Sequence, residues 1–452
     1  MYDVHVIETS GLGDRSYLVT DGTVAAVVDP QRDVDRVLAL AGELGVRITA
    51  VAETHLHNDY VSGGLELARL TGAVYAMARD DEVAFDRLPL GDGDVLEVSP
   101  ALRLRALHTP GHTFHHLSYV LEHEGAPVGV FTGGSLLFGT TGRPDLLGHE
   151  HTETLARHQH ASAHRLADTL PDGAAVWPTH GFGSFCAVGA AATPARERTL
   201  AGEKLANPAL RLAEDAFVAG VLAGLDAYPA YYAHMGAVNA AGPAPVDLRL
   251  PTPADPAELA RRLDAGEWVV DLRSRTAYAA SHVTGTVSLG LDGSMATWLG
   301  WLTERGAPIT LLGATRDEVS RAHRELVRIG IGQSAVAVGT PEELAPDRLS
   351  SLRRVTFTDL AKALAGPDAP VVLDVRLGGE WRDGHVDGSI NIPLPELTRR
   401  AAEIPPGEVW VHCGTGYRAT AAASLLARAG RPAVVIDDTF ATAADQGVPL
   451  SA

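Results

Sequence analysis

The sequence predicts an α/β protein of three domains, and three observations support this prediction. Up to about Met235, short β-rich runs alternate with helical stretches. Over residues 241–256 the density of proline is too high for any regular element, which is typical of a linker. Beyond it, one strand-and-turn pattern occurs twice at a spacing of about a hundred residues, the size of a small domain. We therefore expect domains over residues 1–240, 257–347 and 353–452.

The composition is that of a folded protein without a polyanionic partner. Hydrophobic residues make up 46% and charged residues 21% of the 452 residues, which are ordinary values for globular proteins. The formal net charge of −19 would repel a phosphate backbone, so nucleic acid is not expected as a partner. No secretory signal pattern or membrane-spanning apolar run is visible, and the two cysteines are too few for a disulfide framework. We expect a cytoplasmic protein that does not bind membranes.

The first domain reads as a layered sheet structure whose loops carry polar residues. Its clearest strand patterns are A25-A-V-V-D29, I48-T-A-V-A52, V128-G-V-F-T132 and A174-A-V-W177. A helical pattern, D33-V-D-R-V-L-A-L-A-G, lies between the first two of these strands. Histidine, aspartate and glycine follow several of the strands, and strand ends are where α/β domains collect functional side chains.

Four loop segments of this domain contain the residue types of a metal site. They are H55-L-H-N-D-Y60, T109-P-G-H-T113, F131-T-G-G-S-L-L137 and W177-P-T-H-G-F-G-S-F-C186. Loops at one edge of an α/β sandwich can converge their histidines on a single ion. The spacing therefore predicts metal ligands among His55, His57, Asp59, His112 and His180.

The last two domains share a repeated pattern. E267-W-V-V-D-L-R273 is followed by S281-H-V-T-G-T-V-S-L289, and V371-V-L-D-V-R376 is followed by G384-H-V-D-G-S-I-N-I392. Each copy has a buried strand that ends in aspartate, then an arginine, then a turn with the order H-V-x-G. The pattern indicates two copies of one small α/β domain.

The second copy contains a loop that can activate a thiol. In V409-W-V-H-C-G-T-G-Y-R418 an apolar strand leads into Cys413, and a helix is predicted to begin near Arg418. A thiol between a strand end and a helix amino terminus lies among backbone N–H groups, which favour the thiolate. Gly414 and Gly416 allow the backbone to curl around the sulfur, with Thr415 and Tyr417 completing the loop. Cys413 is therefore predicted to be a nucleophile.

This copy resembles the rhodanese family over roughly residues 353 to 440, through the three motifs L373-D-V-R, G384-H-V-D-G-S-I-N-I392 and C413-G-T-G-Y-R418. A cysteine phosphatase would need an arginine six places after the cysteine, where Ala419 stands. The resemblance implies sulfur transfer at Cys413 with Arg418 closing the loop. The first copy has Gly313 in the place of Cys413, so it resembles an inactive rhodanese-like domain with a packing or docking role.

The first domain resembles the metallo-β-lactamase fold superfamily over roughly residues 1 to 235. The segments T54-H-L-H-N-D-Y-V-S-G-G64, T109-P-G-H-T113, G142-R-P-D145 and H180-G-F-G-S-F-C186, joined to two rhodanese-like units, resemble the persulfide dioxygenase–rhodanese fusion proteins. The resemblance implies an αββα sandwich followed by two rhodanese-like α/β domains with parallel sheets. It also implies one Fe(II) per chain, held by two histidines and an aspartate, with O2 and a glutathione-like persulfide as substrates. The matching histidines are His55 and His112.

Two positions depart from the family pattern. Gly134 stands where the family has the ligand aspartate, and Tyr60 stands where a further histidine would help to hold a second ion. Loss of the carboxylate removes the anion that balances Fe(II), and zinc stays an alternative metal. Asp59 is a replacement carboxylate, although the family fold points it elsewhere, and His57 can take the place of a water. Tyr60 is expected either to ligate as a phenolate or to hydrogen-bond a ligand.

Two further residues have open roles by resemblance. Arg143 either binds the carboxylate of a thiol substrate or is a surface turn residue. Cys186 either carries a persulfide near the metal or is buried filler.

The leading prediction is an enzyme, a homo-oligomer, that oxidises a small thiol persulfide to sulfite and transfers sulfur at Cys413, using or making sulfite and thiosulfate. The alternatives are a sulfurtransferase or sulfur carrier with a degenerate first domain, and a glyoxalase II-like thioester hydrolase.

Overall fold

The computed structural model of the protein describes residues 1–188 and 198–451 and divides into two compact units. The first unit comprises residues 1–247 with 327–330, and the second comprises residues 248–326 with 331–452. The boundary falls inside the predicted linker, and residues 242–255 contain no helix or strand. An α/β fold is confirmed.

The first unit contains two six-stranded sheets. The first sheet has the strand order β1 to β6: β1 (Asp3–Thr9), β2 (Asp14–Thr20), β3 (Val24–Val28), β4 (Arg47–Ala52), β5 (Val74–Ala78) and β6 (Leu88–Leu90). The second sheet has the order β12 to β7: β7 (Val95–Glu97), β8 (Leu102–His108), β9 (Leu117–His123), β10 (Ala126–Gly133), β11 (Ala175–Pro178) and β12 (Arg198–Thr199). Strands β3 to β6 are parallel neighbours, as are β10 and β11.

Helices cover both outer faces of the paired sheets. They are α1 (Asp35–Leu44), α2 (Gly64–Thr71), α3 (Thr152–Thr169), α4 (Leu200–Ala206), α5 (Pro208–Arg211), α6 (Glu214–Gly224) and α7 (Tyr232–Ala241), with a short 3₁₀ turn at His149–His151. None of the helices that the structure describes is long and apolar enough to cross a membrane.

Three hydrophobic clusters define four layers. The central cluster lies between the sheets and joins Tyr17 and Val28 of the first sheet to Leu104 and Phe131 of the second. A second cluster joins the first sheet to α1 and α2, and a third joins the second sheet to α3 and α6. Alternate side chains of one strand point to opposite faces, so each sheet is buried on both sides. The predicted αββα sandwich follows from this arrangement.

The fold places every predicted metal-site segment directly after a strand. His55 lies three residues beyond the end of β4, His112 four beyond β8, and His180 two beyond β11, while Gly134 follows β10. Strand β4 is the parallel neighbour of β3, and the Asp29 N–H donates to the carbonyl of Ala52 across their ends (2.9 Å). The sheets therefore deliver these loops to a common edge.

The second unit contains two parallel sheets, one for each copy of the repeat. The first, of order β15-β13-β16-β17, is formed by β13 (Trp268–Asp271), β15 (Val287–Ser288), β16 (Ile309–Gly313) and β17 (Ala335–Val338). The second, of order β19-β24-β23-β20-β22, is formed by β19 (Arg354–Val355), β20 (Val371–Asp374), β22 (Ile390–Asn391), β23 (Val409–His412) and β24 (Ala433–Ile436). Two small antiparallel pairs accompany them: β14 (His282–Val283) with β18 (Leu349–Ser350), and β21 (His385–Val386) with β25 (Leu450–Ser451).

The helices of the second unit pack on these sheets. They are α8 (Pro256–Asp264), α9 (Arg275–Ala280), α10 (Met295–Leu302), α11 (Arg316–Arg328), α12 (Pro341–Leu344), α13 (Phe357–Leu364), α14 (Gly378–Arg382), α15 (Leu397–Arg400) and α16 (Tyr417–Arg428). Short 3₁₀ turns lie at Pro346–Arg348, Leu394–Glu396, Ala401–Glu403 and Phe440–Thr442.

The two copies repeat the same internal contacts. Arg273 forms a two-pronged ion pair with Asp271 and donates to a carbonyl eight residues later, and Arg376 does the same with Asp374. In each copy the histidine of the H-V-x-G turn also stacks on an aromatic ring four residues earlier. The repeat is therefore structural as well as sequential. The rhodanese-like nature of the first copy stays a prediction.

Replacing Leu104 with alanine should destabilise the first domain strongly. Leu104 is fully buried between the sheets, and removing such a side chain leaves a cavity that costs about 2–5 kcal/mol. Leu205→Ala is the matched control because Leu205 is 79% exposed and should change stability by less than about 0.5 kcal/mol. The urea unfolding midpoints of the two variants, followed by circular dichroism, measure the difference. Equal midpoints would contradict the assignment of the core.

Candidate functional site

Three histidines from three loops converge in the first unit. The side chains of His55, His112 and His180 are buried, and each offers a ring nitrogen within 4.8 Å of the other two. The Nε2 atoms of His55 and His180 are 3.4 Å apart. The sequence predicts all three as metal ligands, and the structure brings them together.

The orientation of His55 is set by a chain of hydrogen bonds that begins at Asp29. The hydroxyl of Thr54 donates to Oδ2 of Asp29 (2.8 Å). The Thr54 hydroxyl oxygen therefore accepts from Nδ1–H of His55 (2.8 Å). The proton of the neutral His55 ring is therefore on Nδ1, and the Nε2 lone pair faces His180.

His112 and His180 are oriented in the same way. Nδ1–H of His112 donates to the carbonyl of Arg143 (2.9 Å), and Nδ1–H of His180 donates to Oδ1 of Asp14 (2.9 Å). Nε2 of His112 is buried and has no hydrogen-bond partner among the described residues. When all three rings are neutral, three nitrogen lone pairs face one another, which fits a metal ion held by imidazole nitrogen atoms.

The charges around these histidines also suit a cation. Burial and the nearby His180 lower the pKa of His112 to about 3, and burial with the neighbouring imidazoles lowers the pKa of His55, so both rings are neutral ligands. Burial by itself would lower the pKa of His180, but the charges of Asp59 and Asp14 raise it well above its ordinary value. Burial and the charge of Asp59 raise the pKa of Asp14 to about 7. The site therefore favours positive charge beside His180.

His57 connects this cluster to a second group of buried acids. Its Nε2 lies 3.2 Å from Oε2 of Glu53 and 3.3 Å from Oδ1 of Asp29. Burial alone would lower the pKa of His57, but these two carboxylates raise it to about 9. Nδ1 of His57 is buried without a hydrogen-bond partner among the described residues, and His57 also falls in one candidate ligand group with Asp59 and His180. His57 could therefore ligate a bound ion only after losing the proton that these carboxylates stabilise.

The position of Tyr60 favours one of its two predicted roles. The ring is fully buried and stacks on His57, and the hydroxyl lies 3.0 Å from Nε2 of that residue and donates to the carbonyl of Asp29 (3.4 Å). Burial and the surrounding carboxylates raise the pKa of Tyr60 well above its ordinary value. A phenolate ligand is disfavoured, and Tyr60 instead supports His57 by a hydrogen bond.

Asp59 and Cys186 form a buried pair beside His180. Oδ2 of Asp59 lies 3.1 Å from Nδ1 of His180, and the Cys186 side chain is buried close enough to Asp59 to respond to its charge. Burial by itself would raise the pKa of Asp59, but the charge of His180 lowers it. Burial and the charge of Asp59 raise the pKa of Cys186 well above its ordinary value. Cys186 is therefore held as a thiol and not as a thiolate.

Gly134 leaves no room for the carboxylate that the family pattern places there. A Cβ on Gly134 would lie 2.3 Å from Cδ2 of His112, and one on Gly142 would lie 2.7 Å from Nδ1 of the same ring. The two glycines therefore enclose the His112 imidazole. The Gly134 N–H donates to Nε2 of His116 (3.0 Å), whose ring stacks on His55.

Three buried groups of the site are missed by the sequence motifs. They are Asp14, Asp29 and His116. Asp29 could have been found from the sequence, because it ends an apolar strand pattern. In the structure its side chain is fully buried and its φ is positive, at 51°. His116 lies one turn beyond the T-P-G-H segment, and nothing in its spacing separates it from a surface histidine.

Arg143 is a buried structural residue in this conformation. Its guanidinium forms a two-pronged ion pair with Asp145 and donates to the carbonyls of Phe185 and Asp226. It also lies over the ring of Tyr228, 4.5 Å from the centroid. A substrate carboxylate would have to compete with these contacts, so the predicted anion clamp stays a prediction.

The Cys413 loop lies where the sequence places it, between β23 and α16. Cys413 is 1% exposed, and its Sγ accepts a hydrogen bond from the Gly416 N–H (3.1 Å). Gly416 has a positive φ of 97°, and a Cβ there would lie 2.2 Å from Oδ1 of Asp437, so only glycine fits. Gly414 forms the first turn of the loop, and the Thr415 side chain is exposed.

Arg418 closes this loop by forming an ion pair with Glu380. Its two terminal nitrogens donate to the carboxylate of Glu380 (2.5 and 2.7 Å). Burial by itself would raise the pKa of Glu380, but the hydrogen bond from Arg418 lowers it. In the first copy, by contrast, Oε2 of Glu318 accepts from the N–H groups of Ala314 and Thr315, just after Gly313. A carboxylate thus occupies the N–H groups of that loop, which supports the prediction that it binds no anion.

Comparison with known proteins matches both parts of the chain. The family model "Metallo-beta-lactamase superfamily" matches residues 12–180, and the model "Rhodanese-like domain" matches residues 356–441. The human protein "Persulfide dioxygenase ETHE1, mitochondrial" is 31% identical over 210 residues, which cover 46% of this chain and 72% of that protein.

Two further proteins are similar to parts of the chain. The mouse "Hydroxyacylglutathione hydrolase-like protein" is 30% identical over 165 residues, covering 36% of this chain, and the chain spans little more than half (56%) of that protein. A crystal structure described as a metallo-beta-lactamase from Staphylococcus aureus subsp. aureus COL superposes with a TM-score of 0.65 at 29% identity. The superposition covers 75% of this chain and 98% of the Staphylococcus aureus chain.

The matches follow the two groups of residues described above. The metallo-β-lactamase match spans His55, His112 and His180, and the rhodanese match spans Cys413 and Arg418. The chain therefore belongs to the metallo-β-lactamase superfamily, as a homologue of the persulfide dioxygenases that carries a rhodanese-like domain in its carboxy-terminal part.

Proposed function

We propose that the chain oxidises the sulfane sulfur of a small thiol persulfide with O2 and transfers sulfur at Cys413. The observation that carries the proposal is the presence, in one chain, of a buried cluster of imidazoles and of a buried cysteine in a rhodanese-type loop. The net oxidation consumes one O2 and one water for each persulfide, and releases the thiol, sulfite and two protons.

The metal centre is proposed to use His55, His112 and His180 as its principal ligands. Thr54, Asp14 and the carbonyl of Arg143 hold the Nδ1 protons of these rings, which keeps the three Nε2 lone pairs aimed at one point. Bound iron would supply the redox chemistry that O2 requires. Zinc is the alternative metal for such nitrogen donors, and it lacks redox chemistry.

The charge that the missing carboxylate would have supplied is available nearby. Asp59 and Asp14 both contact the Nδ1 side of His180, at 3.1 and 2.9 Å. A carboxylate that accepts a ligand's N–H raises the basicity of the imidazole, so part of the negative charge reaches the ion through His180. Complete burial of these groups strengthens the effect, because little solvent screens it.

The rhodanese-like domain is proposed to act on the product of the first domain. Sulfite is a nucleophile toward a persulfide on Cys413, and their reaction forms thiosulfate and the free thiolate. Joining both domains in one chain raises the effective concentration of one activity near the other.

Two other functions compete with this proposal. A sulfurtransferase with a degenerate first domain is favoured by the loss of the ligand carboxylate at Gly134. A thioester hydrolase of the hydroxyacylglutathione type is favoured by the similarity to proteins of that name. A two-ion hydrolase centre, however, needs the bridging carboxylate and a ligand at position 60, where the buried Tyr60 hydroxyl is instead directed to His57 and Asp29.

Replacing His180 with alanine should weaken iron binding. Loss of a group that only hydrogen-bonds a ligand typically costs roughly 10–100-fold in affinity, and loss of a ligand should cost more. Iron affinity is measured by competition with a chromophoric chelator. His158→Ala is the matched control because His158 is exposed on α3. Equal iron affinity in His180→Ala and the wild type would show that His180 is not a ligand.

The two activities should be separable by single substitutions. Cys413→Ser should abolish sulfur transfer to cyanide and leave O2 uptake on glutathione persulfide unchanged, because a hydroxyl replaces the thiol assigned as the nucleophile. His112→Ala should do the reverse. Sulfur transfer that survives in Cys413→Ser would mean that the nucleophile is wrongly assigned.

A further inference from the structure

The first copy of the repeat forms part of the surroundings of the Cys413 loop. The Tyr417 hydroxyl donates to the carbonyl of Gly290 (2.9 Å). A Cβ on Gly293 would lie 2.4 Å from Cε2 of Tyr417, so the backbone of the first copy packs directly on this ring. The guanidinium of Arg418 lies 5.6 Å from the centroid of the Trp298 ring. The copy that lacks a nucleophile therefore helps to build the loop of the copy that has one.

Arg275, at the start of α9, is a positively charged residue that the first copy contributes to this contact. Its Nε lies 3.1 Å from the point where a Cβ of Gly416 would be. The Gly416 N–H is the group that donates to Sγ of Cys413. The guanidinium thus stands beside the residue that hydrogen-bonds the sulfur. Its side chain is 33% exposed, so solutes can reach it.

The arginines around Cys413 differ in how closely their guanidinium groups are paired with carboxylates. Arg418 directs both terminal nitrogens to Glu380, and Arg376 is paired with Asp374. Arg275 donates to Asp437 through Nε (2.6 Å), whereas its Nη1 approaches the nearby Asp292 carboxylate only to 3.7 Å, which is longer than a hydrogen bond. Nη1 of Arg275 therefore holds its neighbouring carboxylate less closely than the terminal nitrogens of Arg418 hold Glu380.

The charge of Arg275 also interacts with the sulfur. Its pKa is raised chiefly by the hydrogen bond to Asp437, and the charge of Cys413 contributes a smaller part. A guanidinium that senses the thiolate will also sense an anion brought to that thiolate.

We propose that Arg275 binds the anionic substrate of Cys413 and makes this site selective for doubly charged sulfur oxyanions over singly charged sulfur donors. This inference rests on the proposed sulfur transfer at Cys413. It assigns the first copy a part in substrate recognition that its missing nucleophile would not suggest.

The reaction explains why a cation is useful there. The Cys413 thiolate attacks the outer sulfur of thiosulfate, a bond forms between the two sulfurs, and the old sulfur–sulfur bond breaks with its electron pair leaving on sulfite. The thiosulfate and the departing sulfite each carry two negative charges, and the enzyme carries one before and after the step. A planar guanidinium can hold two oxyanion oxygens through parallel N–H groups, which Arg418 cannot do while both of its terminal nitrogens hold Glu380.

The test compares two sulfur donors with cyanide as the acceptor, in the full chain. Thiosulfate is doubly charged, and an aromatic thiosulfonate is a singly charged donor in which the same type of sulfur–sulfur bond breaks. Arg275→Ala should raise the KM for thiosulfate by about tenfold or more, while the KM for the thiosulfonate changes by less than about threefold. Arg275→Lys, which keeps the charge, should lie between Arg275→Ala and the wild type.

Two control variants separate recognition from structure. Arg261→Ala removes the same charge from an exposed site in the first copy and should behave as the wild type. Asp437→Asn removes the ion-pair partner of Arg275 but leaves the charge of Arg275 in place. The KM of this variant for thiosulfate should therefore stay near that of the wild type. An unchanged KM for thiosulfate in Arg275→Ala, or an equal loss with both donors that Asp437→Asn reproduces, would overturn the inference. Absence of transfer in the wild type would instead refute the function proposed for Cys413.

Discussion

The buried carboxylate of Asp29 is the group on which the arrangement of the metal-site loops depends. It accepts hydrogen bonds from the backbone and the hydroxyl of Thr54 and from the hydroxyl of Thr179, and it lies against His57. These residues belong to the loops that carry His55, His57 and His180. A buried charge without partners would be unfavourable by several kcal/mol, so the same contacts that satisfy Asp29 also fix the direction of the histidines. The positive φ of Asp29 is consistent with this constraint.

The candidate sites of the two units suit ions of opposite charge. The first unit buries nitrogen donors whose protons are held by acceptors outside the cluster, a design suited to a cation. The second unit places a sulfur at the end of a strand, against the N–H of a glycine and near arginines, a design suited to an anion. The opposite preferences fit the proposed division of the chemistry, with oxidation in one domain and sulfur transfer in the other.

The sequence was sufficient for the fold class, and it identified most positions of the candidate site. Hydrophobic periodicity and proline-rich breaks predicted the α/β layers. The H-x-H, T-P-G-H and C-G-T-G-Y-R segments lie where strands end. Other features depend on contacts between distant segments. Asp14 reaches His180 across 166 positions, and the enclosure of the His112 ring by Gly134 and Gly142 is visible only when the loops are folded together.

We propose that a site without the usual carboxylate still binds iron and activates O2. The most direct measurement is the iron content of the purified full chain, produced with adequate iron, together with O2 uptake on glutathione persulfide. We expect about one iron per chain and uptake that depends on both the iron and the persulfide. A chain without iron that consumes no O2, but still transfers sulfur at Cys413, would contradict it and leave sulfur transfer as the whole of its chemistry.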